Sequence, residues 1–120
     1  MSWDEQLRQT FEQVRKSRSR LKDLARSSTE GWQTDYGRAR QELSSSLSDL
    51  ESTARTVAEA SSDELFKECH EAVANFQRKL ENHQARWPVL IIKDRNDDYR
   101  KSMDEVDASF AELAQKMDRI

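Results

Sequence analysis

Turn punctuation is almost missing from this sequence: 120 residues hold two glycines and one proline. Sheets built from hairpins need such residues at their reversals, so a β-rich fold is excluded and long helices are expected. With Gly31 and Gly37 the only glycines, there is no glycine-rich phosphate loop and no nucleophile elbow. Cysteine is just as scarce. Cys69 stands alone, which rules out an internal disulfide and gives no sign of an oxidising compartment. No apolar run approaches the roughly 20 residues a membrane span needs. The first residues, Met1-Ser2-Trp3-Asp4-Glu5-Gln6, lack the apolar core of a signal peptide. A cytoplasmic protein is the expectation.

What the chain does have is charge. Charged residues make up 36% of it and hydrophobic residues only 35%, against about 25% charge in ordinary globular domains. So thin an apolar supply suits narrow helical seams better than a thick core. The net charge of −3 is too balanced to argue for nucleic acid, but it is unevenly spread. Residues 1–28 carry a net +3, and residues 88–120 a net −2.

From Trp3 the apolar residues step by three and four. The series runs 3, 7, 11, 14, 18, 21, 25, 28, 32, 36, 39, 43, 47, 50, 54, 57, with only Arg18 and Ser28 polar. This is a helical period throughout. The stretch Arg26-Ser27-Ser28-Thr29-Glu30-Gly31 has the composition of a turn, with Ser28 as a possible cap. The apolar phase nevertheless passes through it unbroken, from Leu21 and Leu24 to Trp32 and Tyr36. A turn has no need to preserve phase, so the sequence favours one helix over about 2–60, with a break near 28 as the alternative. Ser2 and Glu5 have the spacing of a capping box, which recurs at Ser27/Glu30, Ser61/Glu64 and Ser102/Glu105.

Ala60-Ser61-Ser62-Asp63-Glu64 marks a clearer boundary, since two acids after two serines suit a helix N-terminus. A second helix over about 62–86 then places Leu65, Cys69, Ala72, Phe76, Leu80, His83 and Trp87 on one stripe. It should end near Arg86, because Pro88 lacks an amide hydrogen and biases Trp87 away from helical angles. The final helix, about 95–119, can be capped by Asp94 or Asn96. Its seam is Tyr99, Met103, Val106, Phe110, Leu113, Met117 and Ile120, an unbroken alternation of four- and three-residue steps. The expected fold is all-α: a single, elongated antiparallel helical bundle or coiled coil covering 1–120, or else an up-down four-helix bundle.

The candidate sites are few. Trp87-Pro88-Val89-Leu90-Ile91-Ile92 is too apolar for an ordinary solvated loop. It is either a corner buried against Trp32 and Tyr36 or a docking patch for a partner, and tryptophan is frequent among interface hot spots. Arg15, Arg18, Lys22 and Arg26 share one face of the first helix, opposite Val14, Leu21 and Ala25. Such a basic face can meet an anionic membrane surface or a partner groove, or be neutralised by the acidic C-terminal helix. No module signature or stacking platform accompanies it to indicate nucleic acid.

Cys69-His70 is a poor start for metal or nucleophile chemistry, because adjacent helical side chains diverge by about 100°. His83 lies about 20 Å further along a straight helix. No metal, cofactor or catalytic residue is expected. The chain therefore reads as a non-catalytic interaction, adaptor or assembly module working through helix–helix packing, as a homodimer or within a hetero-oligomeric coiled-coil assembly. The other reading is a membrane-surface or small-ligand sensing bundle that uses the basic helix or a pocket between helices.

Overall fold

The computed structural model of the protein describes residues 2–26, 30–89 and 97–120. They form four α-helices and no strand: α1 (Trp3–Ala25), α2 (Trp32–Ala60), α3 (Glu64–Arg86) and α4 (Asp97–Asp118). The all-α class follows the sequence. The single helix over 2–60 does not occur. α1 ends at Ala25, the Arg26 amide bonds to the Asp23 and Leu24 carbonyls, and Gly31 adopts φ +79. That angle lies in the left-handed region, where a side chain is strained and glycine is not. The turn composition of 26–31 was the informative signal, and the continuity of apolar phase was misleading. The phase survives because each helix buries its own stripe.

The chain divides into two compact units, Met1–Thr53 and Ala54–Ile120. In the first, α1 opens on Ser2, whose hydroxyl accepts from the Glu5 amide at 3.4 Å. The Ser2 side chain also hydrogen-bonds Asp4 and holds that carboxyl below its ordinary range. Leu7, Phe11, Val14 and Leu21 are buried along α1. Along α2 the buried set begins Tyr36, Ala39, Leu43, Leu47, Leu50. Contacts of Ser17 with Ser46 at 3.2 Å and of Arg20 with Glu42 at 3.0 Å fix an antiparallel register, because the partner number falls as the first rises. Within this hairpin the Arg40 guanidinium lies 4.9 Å from the centre of the Tyr36 ring and is itself buried. The aromatic face compensates part of the cost of bringing that cation out of water.

α2 continues into the second unit, where Ala54 and Val57 extend its buried stripe. The break that follows occupies 61–63. The cap of α3 is Asp63, which accepts from the Leu65 amide at 3.0 Å; the Ser61 hydroxyl accepts from the Asp63 amide. A carboxylate thus takes the position that the serine spacing had suggested for a hydroxyl. α3 and α4 pack antiparallel, with Glu68 near Lys116, Phe76 near Phe110 and His83 near Ser102. Phe76 and Phe110 meet with centroids 5.3 Å apart and planes tilted by 56°, a favoured offset geometry.

The α4 seam lies inward as its spacing requires. Tyr99, Val106, Phe110, Leu113 and Met117 are buried, and Met103 and Ile120 are half-buried. The expected caps Asp94 and Asn96, and Ser27 and Ser28 in the first turn region, lie outside the described residues.

Candidate functional site

Pro88 sets the geometry at the end of α3. Its ring excludes helical angles at Trp87, which sits at φ −124, ψ 69 as the C-cap while its amide still bonds to the His83 carbonyl at 2.9 Å. The helix therefore stops at Arg86, where the sequence placed its end. Trp87 is half-buried and meets the Tyr99 ring edge-on at 5.7 Å. Pro88 is exposed and Val89 half-buried. Of the sequence-predicted patch, Trp87, Pro88 and Val89 can be placed. Leu90, Ile91 and Ile92 lie outside the described residues.

Beneath this corner is a polar contact that sequence reading missed. His83 is 3% exposed, and its Nδ1 lies 2.6 Å from the Ser102 hydroxyl oxygen. The imidazole also packs against Tyr99, with centroids 5.3 Å apart. Trp87, Tyr99, His83 and Ser102 thus tie the last turn of α3 to the first turns of α4. The seam assignment of His83 was visible in sequence. Ser102 lies off the α4 seam, and only the pairing of the two helices brings it to the imidazole.

The basic residues of α1 are placed differently from one another. Arg15 is exposed, pairs with Glu12 at 3.5 Å and reaches over the Phe11 ring at 5.2 Å. Arg26 is exposed at the helix end, whereas Arg18 and Lys22 are half-buried and engaged. The neighbouring Arg20 pairs with Glu42 of α2, an acidic partner the sequence reading did not anticipate. All four lie on one side of α1, two of them exposed and two half-buried.

Elsewhere, Cys69 is fully buried in α3. Burial, assisted by the neighbouring Glu68 carboxylate, pushes its thiol up to about 11, with Lys116 and Arg119 opposing. A thiol so disposed is a poor nucleophile at neutral pH. Among the described residues no group of three or more His, Cys, Asp or Glu is arranged to hold a metal ion. No helix there is long and apolar enough to cross a membrane. The large hydrophobic side chain left most open among the described residues is Trp3, at 44% exposure. It begins the apolar stripe of α1, but at the first helical position, where little of the chain surrounds it. Comparison with models of protein families, with curated proteins and with solved structures finds no match.

Proposed function

We propose that this chain is a non-catalytic interaction module that docks a partner protein, with the apolar corner after α3 as its contact. The observation that carries this reading is the corner itself: exposed Pro88 beside half-buried Val89, anchored by Trp87 against Tyr99. Trp87, already packed against Tyr99, loses little conformational entropy on association. A tryptophan at the base of the corner is the residue type most often found to dominate such contacts. The intramolecular covering of the α4 seam moves the contact away from that seam, whether the partner is a second copy or a different chain.

A photo-crosslinking amino acid at position 89 tests this in cells, with the same group at exposed Glu71 as the control. A discrete protein adduct is expected from position 89 and not from 71. The Val89→Asp variant should weaken binding of the purified partner far more than it lowers the melting temperature, since a carboxylate is not tolerated in an apolar contact and only part of the half-buried Val89 side chain is out of water beforehand. Equal adducts from both positions, or none, would overturn the proposal. So would salt-sensitive binding to anionic vesicles with no protein adduct, which instead fits the membrane-surface reading.

A further inference from the structure

We draw no further inference here: the strongest candidate, the groove of about 380 Å³ between α3 and α4 lined by Glu68, Glu71, Asn75, Arg78, Glu112 and Lys116, carries both signs of charge, and nothing in the structure shows what covers it.

Discussion

Removing the Ser102 hydroxyl should destabilise the protein even though alanine is the better helix former. Ser102 supplies the 2.6 Å partner of His83 Nδ1, and the imidazole is 3% exposed. Depriving a buried polar group of its partner costs about 1–3 kcal/mol. Against this, serine to alanine within a helix gains about 0.5 kcal/mol. The net expected loss for Ser102→Ala is about 0.5–2.5 kcal/mol, and the half-burial of Ser102 points to the lower half of that range. At this chain length each kcal/mol moves the midpoint by about 3–5 °C. The decisive comparison adds His83→Leu. Replacing both partners with apolar groups of similar shape can be nearly neutral, so the double variant should recover much of the loss. Thermal and urea unfolding of the two single variants, the double variant and an exposed control, Ser48→Ala, would measure this cycle. If Ser102→Ala behaves like Ser48→Ala, the buried pair contributes nothing and the reasoning is refuted.

Two further outcomes follow from particular residues. Gly31→Ala should cost about 1–2 kcal/mol through backbone strain alone, because φ is +79 and an added Cβ would meet nothing within 4 Å; an unchanged melting temperature would show that the turn does not hold that angle. Cys69 holds its proton more tightly when folded, so the folded state binds more protons between pH 9 and its raised value of about 11 and stability falls as pH rises through that window. The loss attributable to the thiol is up to about 3 kcal/mol, and Cys69→Ala, followed by urea unfolding, should show a shallower decline than the parent; equal slopes would contradict the burial argument.

The parts of this fold legible in sequence are those fixed by local periodicity. The α4 seam could be read because seven residues in alternating four- and three-residue steps leave one helical face apolar. The end of α3 could be read because Pro88 acts on its immediate neighbour. The Ser2 cap likewise depends on a contact only three residues long. What escaped was whatever needs two helices to be paired first. Ser102 gains meaning only beside His83, and Glu42 only beside Arg20. The break before α2 was legible only as the alternative to a continuous helix, for another reason. Apolar phase is a property of each helix face, and it can agree across a turn without the backbone continuing.

That reversal between α1 and α2 is the central claim about the first unit, and one distance measures it. Spin labels at exposed Gln9 and Ser52, on a Cys69→Ala background, lie on paired stretches of the two helices. Antiparallel helices pack with axes about 8–10 Å apart, so with the label arms the distance should stay under about 30 Å. A continuous helix over the same 43 residues would separate the labels by about 65 Å. A distribution centred below 30 Å is the predicted result; one centred near 65 Å would contradict the hairpin and restore the single long helix.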